Sequence, residues 1–149
     1  MADLALLCRV HRVLCALPLA QVIETLRPLP IEPLAGAPSF VCGLSVLRGV
    51  PVPVLDLGLL LGSEQVRPTR FVALRSGARS LALAVGSVLG VRTLSGAGVR
   101  ELPPLLQGAA DDAVQALGRL DRELLLVLQS GRLVPEALFA QLEAEGRRS

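Results

Sequence analysis

Few side chains in this sequence could do chemistry, and none is arranged as a catalytic group usually is. The single histidine, His11, stands in a predicted turn, where a lone imidazole is most often simply solvated. Among three cysteines, Cys42 is the best candidate for a nucleophile if the protein were an enzyme. Asp111 and Asp112 are adjacent carboxylates, but their position is typical of a helix cap. The pattern indicates a binding module, with a cysteine-dependent enzyme as the alternative.

Metal and nucleotide sites are not indicated either. The sequence contains no Cys-x-x-Cys, no His-Glu-x-x-His and no other cluster of His and Cys that could hold zinc. A phosphate-binding loop that ends in Gly-Lys-Ser or Gly-Lys-Thr is impossible, because the chain has no lysine. We therefore expect no catalytic residue, no metal and no cofactor.

The segment 43–57 is the most informative part of the chain. Its sequence, GLSVLRGVPVPVLDL, is apolar except for Arg48 and Asp56. An unpaired buried charge is costly, so the Arg48 guanidinium must be paired or must reach a surface. Two interpretations stay open. The segment could be a hairpin that turns in solvent at Arg48–Gly49, or a recognition surface in which an apolar face carries one fixed cation.

Strands are the main elements that would position these residues. Alternating apolar residues over 4–17 predict two strands linked at His11–Arg12, which would place Cys8 opposite Cys15 as two buried free thiols in contact. Pro18–Thr25 is predicted to be a helical turn or short helix, and the proline-rich stretch 28–38 a loop.

Two prolines constrain the strand that follows Arg48–Gly49. Pro51 and Pro53 are two positions apart, so both remove an N–H donor from the same side of the strand. That side must therefore lie at a sheet edge or a bulge.

The second half of the chain repeats the order of elements in the first. Four apolar residues of the second half, beginning at Leu81, fall 66 positions after four residues of the first half that begin at Cys15. Five more, beginning at Leu117, fall 73 positions after five apolar residues that begin at Leu44. These matches favour a duplicated β unit that forms two small barrels side by side. The tail 134–145 has apolar residues at helical spacing and predicts a terminal helix.

Composition excludes several classes of protein. The chain is 52% hydrophobic, which excludes disorder for most of it, and no apolar stretch is long enough for a spanning helix. Aromatic residues make up only 2%, and the arginines are scattered, so a nucleic-acid partner is not expected. No export signal is recognisable, so we expect a cytoplasmic protein with reduced cysteines.

The segment 43–57 resembles the CheW family, the adaptors that couple chemoreceptors to the histidine kinase CheA. The family pattern is a glycine, then Arg-Gly, then Pro-Val-Ile-Asp-Leu, which stands here as Gly43, Arg48-Gly49 and Pro53-Val54-Leu55-Asp56-Leu57. The resemblance continues upstream in Val22-Ile23-Glu24 and downstream in 81–91 and 125–128. The chain departs from the family at Gly86, where an acidic residue is usual.

The resemblance implies a mainly β fold of two interleaved SH3-like five-stranded β-barrels, with short helices and a C-terminal helix at 134–145. It implies a single CheW-like domain over 1–149. Two pseudo-repeated β subdomains, roughly 1–65 and 66–135, would exchange strands within that domain.

The resemblance also implies a non-catalytic, cytoplasmic adaptor that is recruited to membrane receptor arrays without entering the membrane. Its expected partners are the regulatory domain of a CheA-type kinase and the cytoplasmic tip of a chemoreceptor. A diverged CheW-like scaffold in surface motility or development is the alternative within the family. The expected protein-binding residues are Val22, Glu24, Arg48, Gly49 and Phe71, with Glu24 and Arg48 close enough to pair. The expected structural motif comprises Gly43, Pro53, Val54, Asp56 and Leu57.

Overall fold

The computed structural model describes residues 4–76, 78–93, 100–101, 114–120 and 123–128, and strands dominate this part of the chain. A three-residue 3-10 helix spans Leu19–Gln21, and a one-turn helix, α1, spans Leu57–Leu60. The strands are β1 (Leu4–Val10), β2 (Val13–Pro18), β3 (Val22–Leu26), β4 (Val41–Leu47), β5 (Val50–Asp56), β6 (Arg70–Ser76), β7 (Arg79–Val85), β8 (Ser87–Thr93), β9 (Arg100–Glu101), β10 (Val114–Leu120) and β11 (Glu123–Leu128).

The described strands form two sheets. The first sheet has the order β8-β1-β2-β11-β10-β9, and the second has the order β3-β6-β7-β5-β4. All neighbouring strands pair antiparallel except β2 with β11 and β5 with β7, which pair parallel. The mainly β fold is confirmed, and the first sheet gains the two-residue β9 as a sixth strand.

The two sheets are built on one plan, and each draws strands from both halves of the chain. The hairpin β1–β2 corresponds to β6–β7, whose strands begin 66 residues later. The hairpin β4–β5 corresponds to β10–β11, whose strands begin 73 residues later. In each sheet one hairpin of each kind pairs through a parallel contact, so the repeated units are interleaved. The division near residue 65 remains a proposal.

The hairpin β1–β2 is buried on both of its faces. Cys8 and Cys15 belong to the main apolar core, together with Phe71 and other residues of β5–β7. On the opposite face Leu7 and Leu14 are also buried. A hairpin that packs on both faces joins two layers, as an interleaved fold requires.

The predicted thiol pair in this hairpin is confirmed. Cys8 lies directly opposite Cys15, both are fully buried, and neither is in a disulfide. The hydrogen bond to Cys15, then burial, raises the pKa of the Cys8 thiol well above its usual value.

The prolines of β5 lie where the sheet leaves their missing donors unopposed. β5 pairs with β7 only from Val54 to Asp56, so Pro51 and Pro53 precede the paired stretch. Across β4, the same prolines face Val46 and Leu44, at positions that alternate with the residues exchanging hydrogen bonds. The prediction of a local edge on one side of this strand therefore agrees with the pairing.

The predicted helix over Pro18–Thr25 is wrong for most of its length. Pro18 ends β2, only Leu19–Gln21 is helical, and Val22–Leu26 forms the edge strand β3, paired with β6. Pairing with β6 outweighs the local helical preference of a proline-initiated turn. The stretch 28–38 is a loop, as predicted, apart from one isolated bridge between Glu32 and Leu44.

The predicted tail helix at 134–145 lies outside the described residues. Within the part of the chain that the structure describes, no helix has the length and apolar character needed to cross a membrane.

Candidate partner-binding site

The tip of the β4–β5 hairpin carries the most conspicuous charge of the site. Arg48 has a φ of 52° and Gly49 a φ of 81°, and Leu47 pairs with Val50 across the turn. Turns with two positive φ values suit the right-handed twist of a hairpin and favour Asn-Gly. A left-handed conformation costs a residue such as arginine about 1–2 kcal/mol. Turn geometry therefore does not explain the choice of arginine.

Arg48 is exposed and makes an ion pair. Its side chain is 77% exposed, and its Nη2 lies 2.6 Å from Oε2 of Glu24, whose side chain is 26% exposed. The contact is an ion pair without good hydrogen-bond geometry, because Oε2 has no aligned donor. An exposed pair contributes at most about 1 kcal/mol to stability, so its main effect is to orient the guanidinium.

The ion pair also brings together the two ends of the second sheet. Glu24 lies on β3 at one edge, and Arg48 joins β4 to β5 at the other. In a flat sheet of five strands at normal spacing, the two edge strands would lie about 19 Å apart. The second sheet must therefore curl, in agreement with a barrel-like unit.

Exposed apolar side chains flank the cation. Val46 is 64% exposed and Val50 is 57% exposed, and each lies two residues from Arg48. A fixed cation among exposed apolar groups is the composition typical of a protein-binding surface. Val22, at the start of β3, is half-buried and packs against the core beside this region.

Phe71 is not exposed at this surface, so its assignment to partner binding remains a prediction. The side chain is completely buried on β6, among the largest residues of the core. It can influence a partner only through the packing beneath the surface. The sequence did not indicate the burial of Phe71, because a strand that is buried on both faces is apolar at most positions and lacks an alternating pattern.

Asp56 anchors the chain that follows β5. Its carboxylate is buried, accepts a hydrogen bond from the Leu59 amide at 3.0 Å as the N-cap of α1, and accepts another from the Val66 amide at 3.0 Å. The next residue, Leu57, is fully buried. This charge stabilises a loop rather than facing a partner.

Gly43 lets a second segment approach β4. It has a φ of 145° beside a bulge, and a side chain there would overlap the Glu32 carbonyl. Glu32 and Leu44 exchange two backbone hydrogen bonds, of 2.7 and 2.9 Å. The free edge of β4 is thereby covered next to the candidate site.

His11 has a structural partner that its sequence context did not indicate. Its Nε2 donates a hydrogen bond of 2.9 Å to the Glu64 carbonyl, so the turn of β1–β2 is tied to the loop after α1. Sequence separation hides such a contact, because the two residues are 53 positions apart.

Within the described ranges, the side chains that could act as nucleophiles or metal ligands are not arranged for catalysis. Burial, then the negative charge of Asp56, raises the pKa of the Cys42 thiol, whereas a nucleophilic cysteine needs a lowered pKa. No group of three or more His, Cys, Asp or Glu residues there could hold a metal ion.

Comparison with known proteins shows the family of this chain. The family model described as the CheW-like domain matches residues 4–138. The chain belongs to the CheW-like family. The chemotaxis protein CheW of Klebsiella aerogenes is 28% identical over 113 residues, covering 74% of this chain and 68% of the relative. Protein FrzA of Myxococcus xanthus is 33% identical over 137 residues, covering 87% of this chain and 83% of the relative.

A solved structure shows the same CheW-like fold. The crystal structure of scaffolding protein TtCheW from Thermoanaerobacter tengcongensis superposes with a TM-score of 0.79. The match covers 89% of this chain and 92% of that one, at 21% sequence identity.

Proposed function

We propose that this CheW-like protein is a non-catalytic adaptor that couples the cytoplasmic tip of a chemoreceptor to the regulatory domain of a CheA-type histidine kinase. It would work in the cytoplasm, at membrane receptor arrays. The observation that carries the proposal is the Glu24–Arg48 ion pair at an exposed apolar hairpin tip. Similarity to a chemotaxis protein and to a scaffolding protein supports it.

The proposed contact surface consists of Val22, Glu24, Arg48 and Gly49, with Val46 and Val50 beside them. The Glu24 carboxylate holds one side of the guanidinium, and the remaining N–H donors of Arg48 point to solvent at the tip. A partner that supplies an acceptor oxygen there, beside apolar side chains, would bury the ion pair. The directional hydrogen bonds of the guanidinium would then fix the orientation of the partner. Contacts that form and dissolve in an array suit micromolar affinity, roughly −8 kcal/mol.

A CheW-like scaffold in surface motility or development is the second candidate. The match to FrzA is higher in identity and covers more of the chain than the match to the Klebsiella protein. The two candidates share the surface and differ in which receptor and kinase it meets. Co-purification from the native cell, with identification of both partners, separates them.

Titration of the Arg48→Asn variant against a receptor cytoplasmic fragment tests the proposed surface. Asparagine tolerates positive φ, so the turn is kept while the cation is removed. We expect binding to weaken about tenfold, equivalent to about 1.4 kcal/mol, with an unchanged melting temperature. Arg92→Asn, at an exposed arginine on β8, is the matched control and should bind normally. Equal binding by both variants would contradict the role of Arg48.

A further inference from the structure

The segment Arg27–Pro33, with the sequence RPLPIEP, is not explained by the proposed adaptor surface. It leaves β3 and crosses to β4 without regular secondary structure, apart from the bridge at Glu32. Contacts with the core and with β4 fix the position of this segment. Leu29 and Ile31 pack against the core, and the Ser45 hydroxyl donates a hydrogen bond of 2.8 Å to the Pro30 carbonyl.

The backbone of this segment has little freedom. Its three prolines have a fixed φ, and each residue that precedes a proline is pushed toward extended or polyproline II conformations. Six of the seven residues are restricted in one of these two ways, with Ile31 as the exception. The segment is therefore held extended both by its own sterics and by its contacts with β4.

The spacing of three of these residues matches one edge of a polyproline II helix. In polyproline II conformation, which has three residues per turn, Arg27, Pro30 and Pro33 would lie along the same edge. All three residues are exposed, whereas Leu29 and Ile31 are half-buried. Packing explains the inward residues and leaves unexplained an outward edge of one cation and two prolines.

We propose that the Arg27–Pro30–Pro33 edge is a docking ligand for an SH3-type domain of another protein. Such a domain reads a Pro-x-x-Pro edge with an aromatic-lined groove, and an acidic group beside the groove would pair with the Arg27 guanidinium. The segment is pre-ordered, so little conformational entropy is lost on docking. A second copy of this chain is a poor source of such a groove, since the sequence contains no Trp, no Tyr and three Phe.

The test uses the full chain and a purified SH3 domain that recognises Arg-x-x-Pro-x-x-Pro peptides. Because the chain lacks tryptophan, excitation of indole reports only the groove of the SH3 domain. We expect a saturable change in its fluorescence as the chain is added. A synthetic peptide of residues 25–35 serves as the reference ligand. Binding by the peptide but not by the full chain overturns the proposal, because the edge would then be inaccessible in the folded protein.

Single substitutions show whether the bound edge is the proposed one. Pro30→Ala and Pro33→Ala keep the backbone carbonyls and should each weaken binding at least fivefold, and Arg27→Ala should weaken it similarly. Pro28→Ala is the matched control, because Pro28 is exposed but lies off the edge, and it should change binding less than twofold. Circular dichroism confirms that each variant is folded. Absence of saturable binding, or equal loss in Pro28→Ala, refutes the proposal and leaves the receptor and kinase assays unaffected.

Discussion

Removal of the Asp56 carboxylate should destabilise the protein substantially. The Asp56→Ala variant loses the N-cap of α1, worth about 1 kcal/mol. It also leaves the buried Val66 amide without its charged acceptor at 3.0 Å, a loss of about 1.5–3 kcal/mol. We therefore expect the free energy of unfolding to fall by about 2.5–4 kcal/mol. For a domain of this length, the melting temperature should fall by about 10 °C.

Urea denaturation followed by circular dichroism measures this loss. Asp56→Asn retains one acceptor oxygen in the same position and should lose about half as much stability as Asp56→Ala. Glu24→Ala is the second control. It removes a partly exposed ion pair and should cost less than about 1 kcal/mol.

Two results would refute the reasoning about Asp56. A cost below about 1 kcal/mol for Asp56→Ala would mean that the two amides find other acceptors or water. A cost for Glu24→Ala equal to that of Asp56→Ala would mean that the exposed ion pair stabilises the fold as much as the buried loop anchor does.

Two further perturbations follow from the same structure. The contribution of Cys8 and Cys42 to the free energy of unfolding should be constant below about pH 8.5 and fall as pH rises above it, because their raised pKa values make the folded state hold thiol protons more tightly. Since the chain has no Lys and no Tyr, cysteine thiols are the side chains that can titrate in this range. Urea melts of a Cys8→Ala variant should therefore show a shallower fall; a rise in stability above pH 8.5 would be the contrary result. Gly43→Ala should cost well over the roughly 1 kcal/mol of Gly62→Ala, because a methyl group at Gly43 would overlap the Glu32 backbone whereas one at Gly62 would meet no atom; equal losses in denaturation would count against the close approach.

Local sequence patterns predicted the hairpins because those depend on neighbouring residues. Alternation placed β1 and β2, and the Arg48–Gly49 step was recognisable as a turn between two strands. The 66- and 73-residue offsets correspond to the repeated hairpins of the two sheets. Short-range spacing and internal repetition thus carried most of the fold.

Long-range contacts were the part that spacing could not reveal. The strand β3 exists because β6 pairs with it, through residues that lie 45 to 52 positions later along the chain. The local sequence instead favoured a helix. The contact between His11 and Glu64 and the burial of Phe71 also depend on packing of distant segments. The pairing of Glu24 with Arg48 was expected from the family resemblance and from the need of Arg48 for an anionic partner, and the structure confirms it.

Recruitment of the kinase to receptors is the most direct test of the proposed adaptor role. Membranes containing the cognate chemoreceptor are mixed with the CheA-type kinase, with and without this chain, and sedimented. We predict that the kinase sediments with the membranes only when the chain is present, and that Arg48→Asn reduces the amount recruited. Kinase recruitment that does not depend on the chain, or absence of binding to either partner at roughly 100 μM, a free energy weaker than about −5.5 kcal/mol, would contradict the coupling role.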